Sequence, residues 1–153
     1  MMKKNVVIAL AGIAALCTVL PAVAQFQKPE DAVKYRKAAF TVMATHFGRI
    51  GAMVQGKVPF DAAAASANAD IVATLSHLPF GGFADGTAGT EKGMAKASIW
   101  TERAKFDEAA KKMQDEAAKL ATVAKGGNLD QIKVAFGAVG QTCKACHDNY
   151  RNP

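Results

Sequence analysis

Two cysteines and a histidine carry the clearest chemical pattern in this 153-residue sequence, in the run Cys143-Lys144-Ala145-Cys146-His147. C-x-x-C followed directly by His is the attachment signature of c-type haem. On a helix, residues 143, 146 and 147 share one face, because residues three and four apart are neighbours. We therefore expect Cys143 and Cys146 to hold one haem c per chain through thioether bonds, with His147 as the axial ligand of its iron.

Three other chemistries use the same residue types. The two cysteines could form a disulfide, act as a redox dithiol, or supply half of a zinc site. A zinc site needs further ligands, and only His46 and His77 remain as histidine candidates elsewhere in the sequence. The histidine placed directly after the second cysteine favours haem over these alternatives.

The first segment predicts export. Lys3 and Lys4 precede an almost wholly apolar run over residues 6–20, and Ala22-Val23-Ala24 is a small-residue cleavage site. Together they indicate a secretory signal peptide over residues 1–24 and a mature domain over residues 25–153. The alternative is an uncleaved membrane anchor, but the apolar run is at the short end for a spanning helix. No later segment is apolar enough to cross a membrane, so no membrane span is expected after cleavage.

The charge of the chain is mildly basic, with a formal net charge of +6. The lysines and arginines are scattered along the sequence rather than gathered in a stripe or patch. Nucleic-acid binding needs such a patch, so no nucleic-acid partner is expected.

The positioning elements are helices, because apolar residues recur at helical spacing and no segment alternates as a strand does. Four helices are expected to start near Pro29, Asp61, Ser98 or Thr101, and Asn128. Asp61 and Asn128 are predicted N-caps. Residues 79–97 show no periodicity, and a loop of that length is expected to be functional or mobile. The sequence predicts an all-α, antiparallel up-down-up-down four-helix bundle.

Each helix has a predicted buried stripe. The second helix has Ala64, Asn68, Ile71, Leu75 and Leu78. The third has Phe106, Ala110, Met113, Ala117, Leu120 and Ala124. The stripe of the fourth helix contains Cys143 and Cys146, which places the covalent haem in the bundle core.

Two residues of the first helix are expected to contact this haem. Arg36 occupies a buried-stripe position, where an unpaired guanidinium would be costly, and a haem propionate is a natural partner. The alternative is an arginine that extends to solvent from the helix edge. Phe40 lies one turn later, where it would cover the haem face opposite His147 and leave the iron five-coordinate. Ordinary core packing of Phe40 is the alternative.

A sixth ligand would change the function. The candidates are Met43, Met53, Met94, Met113, His46 and His77, and none lies in a distinctive motif. If Met43 or another side chain filled the position, the protein would be a low-spin electron carrier. An enzyme, such as a weak peroxidase or a nitric oxide reductase, would need an acid–base group near Phe40. Only Arg36 is available there, so no enzyme activity is expected.

Five segments of the sequence carry a resemblance to a known family. They are residues 25–36, 46–49, 99–100, 135–137 and 143–148. With its haem motif at the end of a four-helix chain, the sequence resembles the class II c-type cytochromes, specifically cytochrome c′ of Gram-negative bacteria. The resemblance covers essentially the whole mature chain.

The resemblance implies a periplasmic protein with a left-handed bundle, often a homodimer formed through the first two helices. It implies a five-coordinate high-spin haem that binds nitric oxide and carbon monoxide, with electron transfer at the iron to an undefined redox partner. It also implies that Arg36 contacts a propionate and that Lys37 lies near the haem. Arg151 would lie on the side of His147, and Glu91 near the haem. Phe40 departs from the family, since several relatives have a smaller aliphatic residue there.

Overall fold

The computed structural model describes residues 25–153. The long helices are α1 (Pro29–Val54), α2 (Ala62–Leu75), α4 (Arg103–Ala124) and α5 (Leu129–Tyr150), with the single turn α3 (Ser98–Thr101) before α4 and a 3₁₀ turn at Pro79–Gly82. Each long helix packs against the next, and α1 also contacts α5. The predicted four-helix bundle is confirmed. The predicted signal peptide lies outside the described residues, so its cleavage stays a prediction.

The helix starts follow the capping residues that the sequence predicted. The Ala64 backbone N–H donates to Asp61 Oδ1 at 3.0 Å, and the Gln131 N–H donates to Asn128 Oδ1 at 3.1 Å. Each bond satisfies one of the backbone donors left free in a first helical turn. These caps fix where α2 and α5 begin. Within residues 25–153, no helix combines the length and apolar character that crossing a bilayer requires.

The buried stripe of α4 is confirmed, since all six predicted residues are buried. The stripe predicted for α2 was wrong by one position. The buried residues of this segment are Ala65, Ala69, Val72 and Ser76, whereas Ile71 is 37% exposed. Leu78 lies beyond the end of α2 and is 42% exposed. In a helix this rich in alanine, neighbouring positions differ too little in hydropathy for periodicity to choose between them.

One end of the bundle, which we call the packed end, has a continuous apolar core. All four long helices contribute to it. Its buried residues are Ile50, Met53, Ala65, Ala69, Leu120, Ala121, Ala124, Ile132 and Val139. Above it the rings of Phe47 and Phe136 stack with centroids 4.1 Å apart, which joins α1 to α5.

The long loop over residues 79–97 is bonded to the segment that follows α5. The Lys96 N–H donates to the Tyr150 carbonyl at 2.9 Å, and the Asn152 N–H donates to the Met94 carbonyl at 2.9 Å. Asn152 Nδ2 also donates to the Gly89 carbonyl at 2.6 Å. These bonds surround an antiparallel bridge between Ala95 and Arg151, so the loop is held beside the end of the helix that carries the haem motif.

Candidate functional site

The last turns of α5 carry the haem motif to one end of the bundle. Cys143 and Cys146 are half-buried free thiols. The side chains of Cys143, Cys146 and His147 all line a single cavity. The structure thus places the three residues on one face of α5, and their roles toward haem stay predictions.

The cavity has a volume of about 610 Å³, within the range of about 300–1,000 Å³ that small-molecule and cofactor sites occupy. All four long helices and the loop over residues 79–97 contribute to its walls. The described cavity is therefore large enough and apolar enough for a cofactor with a hydrophobic body.

Aromatic rings form much of the wall. Besides Phe47, five rings in mutual contact line it: Phe40, Phe80, Phe83, Phe106 and Tyr150. Their ring centroids lie between 4.8 and 6.4 Å apart in successive edge-to-face, tilted and stacked contacts. The Phe40 and His147 rings, both in the wall, have centroids 6.3 Å apart and planes at 75°. The sequence predicted Phe40, but it missed the two loop rings Phe80 and Phe83. Aromatic residues in an otherwise glycine-rich loop were the available signal.

Positive charge surrounds this apolar body. Arg36, Lys37, Lys92 and Arg151 line the cavity, and no aspartate or glutamate of residues 25–153 does. Such a site suits a flat apolar group with acidic substituents, as haem is. Lys37 and Arg151 thus line the cavity, and their contact with haem stays a prediction; the sequence missed Lys92.

Glu91 does not line the cavity in this structure. Its side chain is exposed, while its carbonyl accepts hydrogen bonds from the Met94 N–H at 3.0 Å and from Asn152 Nδ2 at 3.4 Å. Its predicted role near the haem rests on the resemblance alone.

Arg36 is only 3% exposed, and its guanidinium has partners that the sequence analysis did not consider. Nη1 donates to the Gly82 carbonyl at 2.9 Å and to Thr87 Oγ1 at 2.7 Å, and Nη2 donates to the Thr87 carbonyl at 2.6 Å. Burial lowers the pKa of Arg36 from its usual value. Three neutral oxygens thus accept its hydrogen bonds, and the alternative of an arginine that extends to solvent was wrong. Its contact with a propionate stays a prediction.

Burial favours the neutral forms of the three motif side chains. Burial raises the pKa of Cys143, and burial together with the neighbouring Cys143 raises the pKa of Cys146 to about 11. His147 is accessible from the cavity, yet partial burial and then Arg151 lower its pKa. The imidazole is therefore neutral at physiological pH, which is the form that binds iron.

The candidate sixth ligands separate clearly. Met43 and Met113 line the cavity, whereas Met53, Met94, His46 and His77 do not. His46 instead pairs with Asn68 Oδ1 through Nδ1 at 2.8 Å. Among the described residues there is no group of three or more His, Cys, Asp or Glu side chains that could hold a metal ion, so the zinc alternative finds no support there.

The chain is similar throughout its described part to known haem proteins. The family profile described as Cytochrome C′ matches residues 31–151. Cytochrome c′ of Alcaligenes xylosoxydans xylosoxydans is 50% identical over 127 residues, which cover 83% of this chain and 98% of the relative. The crystal structure of cytochrome c′ from Rubrivivax gelatinosus has a TM-score of 0.78 at 47% identity, covering 84% of this chain and 100% of that one.

A third similar structure holds a gas ligand. It is the nitric oxide complex of a variant of cytochrome c prime from Alcaligenes xylosoxidans, with a TM-score of 0.78 and 47% identity over 84% of this chain and 99% of that one. The cavity and the haem motif described above thus occur in a fold and a sequence shared with these proteins. The chain belongs to the cytochrome c′ family and carries covalent haem c.

Proposed function

We propose that the protein is a periplasmic haem protein that binds nitric oxide and carbon monoxide at a five-coordinate, high-spin iron. Cys143 and Cys146 would hold the haem through thioether bonds, and His147 would bind its iron. When bound, the haem would supply an iron that takes a diatomic gas and exchanges one electron. The side chains of the chain bind and orient the haem, exclude water and select the ligand.

One observation carries this proposal. The ring that faces the His147 imidazole in the cavity is the phenyl of Phe40, at 6.3 Å between centroids. A phenyl ring neither ligates iron nor donates a hydrogen bond, and it keeps water away. Dioxygen depends on a hydrogen-bond donor in such a pocket more than nitric oxide or carbon monoxide does. The nitric oxide complex of the Alcaligenes relative supports the same choice of ligand.

The cations that line the cavity would hold the haem propionates. Lys37, Lys92 and Arg151 are exposed at its rim. A guanidinium has five N–H donors, and the three hydrogen bonds of Arg36 leave two of them for a carboxylate. Arg36 could therefore donate hydrogen bonds to the loop and to a propionate at the same time.

The side chains that line the cavity also favour ligand binding over enzymatic turnover. Peroxidase or nitric oxide reductase chemistry would call for an acid–base side chain beside the ligand position. His147 is the one histidine in the cavity lining of the described chain, and this proposal uses it as the axial ligand. Steady-state turnover with peroxide or nitric oxide, measured against the free haem, would contradict the assignment.

Export and dimerisation complete the proposal. Residues 1–24 would direct export of the chain to the periplasm and would then be cleaved. Covalent attachment of haem takes place in that compartment. The exposed apolar side chains Val42 on α1 and Ile71 on α2, 47% and 37% exposed, support a homodimer through these two helices. Sedimentation of the mature holoprotein tests the dimer. N-terminal sequencing, which identifies its first residue, tests the cleavage site.

Visible spectroscopy of the purified holoprotein tests the central claim. The full chain, expressed with its leader, should give high-spin ferric bands, and the reduced form should respond to carbon monoxide and nitric oxide. The mass of the mature chain should include one haem. A sharp low-spin reduced band with no response to either gas would contradict the proposal.

The second candidate is the low-spin electron carrier, and it rests on Met43 and Met113. Both thioethers lie in the cavity wall, and both side chains are buried. Conversion of a low-spin spectrum to a high-spin one by Met43→Leu or Met113→Leu would establish this alternative, since leucine keeps the volume and removes the sulfur.

A further inference from the structure

The loop that forms one wall of the haem cavity is fastened to α1 by a group of residues that we call the Arg36 clamp: Arg36, Gly82, Phe83 and Thr87. The three hydrogen bonds of the guanidinium all end on Gly82 or Thr87. The Arg36 Cζ atom also lies 4.5 Å from the centroid of the Phe83 ring. One side chain of α1 thus contacts the loop at three points.

Gly82 brings the loop backbone directly onto α1. A Cβ atom added at this residue would lie 2.7 Å from the Ala32 carbonyl oxygen and 2.8 Å from Arg36 Cβ. The first of these neighbours is backbone and cannot move aside. The close approach that places the Gly82 carbonyl within reach of Arg36 therefore depends on the missing side chain.

Thr87 forms the other half of the clamp and is 1% exposed. Its Oγ1 accepts from Arg36 Nη1 at 2.7 Å and donates to the Ala84 carbonyl at 2.7 Å. The hydroxyl thus ties the guanidinium to the turn that follows Phe83. Hydrogen bonds to a charged group in a buried site are stronger than the average.

The clamp reaches the ligand side of the cavity through aromatic contacts. The Phe83 ring stacks on Phe80 with centroids 6.1 Å apart. Phe80 and Phe83 in turn meet the Phe40 ring edge-to-face, at 6.1 and 6.4 Å. Phe40 can therefore move toward Phe80 and Phe83, away from His147, only if these two rings also move.

We propose that Thr87 and Gly82, through Arg36, are positioning residues that restrict gas binding by holding Phe80 and Phe83 against Phe40. This inference rests on the proposed function, because it takes the side of Phe40 as the side where the gas binds. None of the clamp residues needs to touch the gas. They set how readily the Phe40 ring moves aside, and hence the association rate of the ligand.

The test is the association rate of carbon monoxide with reduced holoprotein, measured by flash photolysis. Thr87→Val keeps the shape of the side chain and removes its hydroxyl. We expect about fivefold faster association, less than the full loss of one hydrogen bond to a charged group would give, because Arg36 keeps its bonds to the Gly82 and Thr87 carbonyls. Thr87→Ser retains the hydroxyl and should restore the wild-type rate. Thr90→Val is the matched control, since Thr90 is exposed in the same loop.

A double-mutant cycle separates positioning from general loosening. In a Phe40→Ala background, Thr87→Val should change the rate by less than twofold, since the ring that the clamp restrains is gone. The inference would be overturned if Thr87→Val raised the association rate by the same factor with Phe40 and with Phe40→Ala. Equal rates for Thr87→Val and Thr90→Val would also overturn it. If Thr87→Val gives no holoprotein, Phe83→Leu in the same cycle tests the same contact under the same criteria.

The outcome also distinguishes this inference from the proposed function. A wild-type holoprotein that binds no carbon monoxide would contradict the function itself. A wild-type protein that binds carbon monoxide, with rates insensitive to the clamp, would contradict only the role of Thr87 and Gly82.

Discussion

The packed end and the haem end of the bundle use the same four helices in opposite ways. At the packed end, small alanines such as Ala65 and Ala69 leave room for Ile50, Leu120 and Ile132, all fully buried. At the haem end, large aromatic rings surround a cavity of about 610 Å³. The first end is complete with protein atoms alone, whereas the second needs a cofactor to bring its walls to the packing density of a protein interior.

The difference predicts where stability originates. The packed end should hold the fold together by itself, and the haem should add to stability by filling the other end. The Phe47–Phe136 stack marks the boundary, since Phe47 lines the cavity on one side and packs against the core on the other.

The largest expected effect is loss of the covalent haem. In Cys143→Ala/Cys146→Ala, the free energy of unfolding should fall by about 4 kcal/mol or more relative to holoprotein, because the cofactor stabilises only the folded form. Mass spectrometry measures the loss of haem, and denaturant unfolding measures the change in the free energy of unfolding. Ala145→Ser, an exposed change between the two cysteines, is the control and should retain haem. A haem-free variant as stable as holoprotein would contradict the claim that the haem end depends on its cofactor for stability.

The next effect tests the packed end. Leu120→Ala should cost about 3 kcal/mol in the free energy of unfolding, because it leaves a cavity in a fully buried core. The visible spectrum and the carbon monoxide affinity should stay unchanged. Val134→Ala, at a residue that is 76% exposed, should cost less than about 0.5 kcal/mol. A changed haem spectrum in Leu120→Ala would show that the two ends are not independent.

The smallest effect on stability should come from Phe40, in the wall of the haem end. Phe40→Ala should raise the carbon monoxide association rate about tenfold, or about 1.4 kcal/mol in the barrier, since the ring no longer has to move. The ring is only half-buried, so the loss of stability should be smaller than for Leu120→Ala. Phe40→Leu should give an intermediate rate. Identical kinetics in all three proteins would show that Phe40 does not restrict the site.

The haem motif and α4 were predictable from sequence because their signals are local. Cys143, Cys146 and His147 need only helical spacing to share a face. In α4, Phe106, Met113 and Leu120 mark the buried stripe, and charged residues lie between its members. The buried stripe of α2 was not predictable, because its many alanines give the faces of the helix nearly the same hydropathy. The partners of Arg36 were also beyond reach, because the carbonyls of Gly82 and Thr87 come from a loop whose path no periodicity describes.

The bonds between the long loop and residues 150–152 bear on the order of assembly. Asn152 and Gly89 are 63 residues apart in sequence, and contacts of that separation form late, after the entropy of closing the intervening chain has been lost. Before the loop closes, the thiols of α5 would lie along an open cleft. Haem attachment at that stage would come before loop closure, and the bonds of the loop would then enclose the attached group.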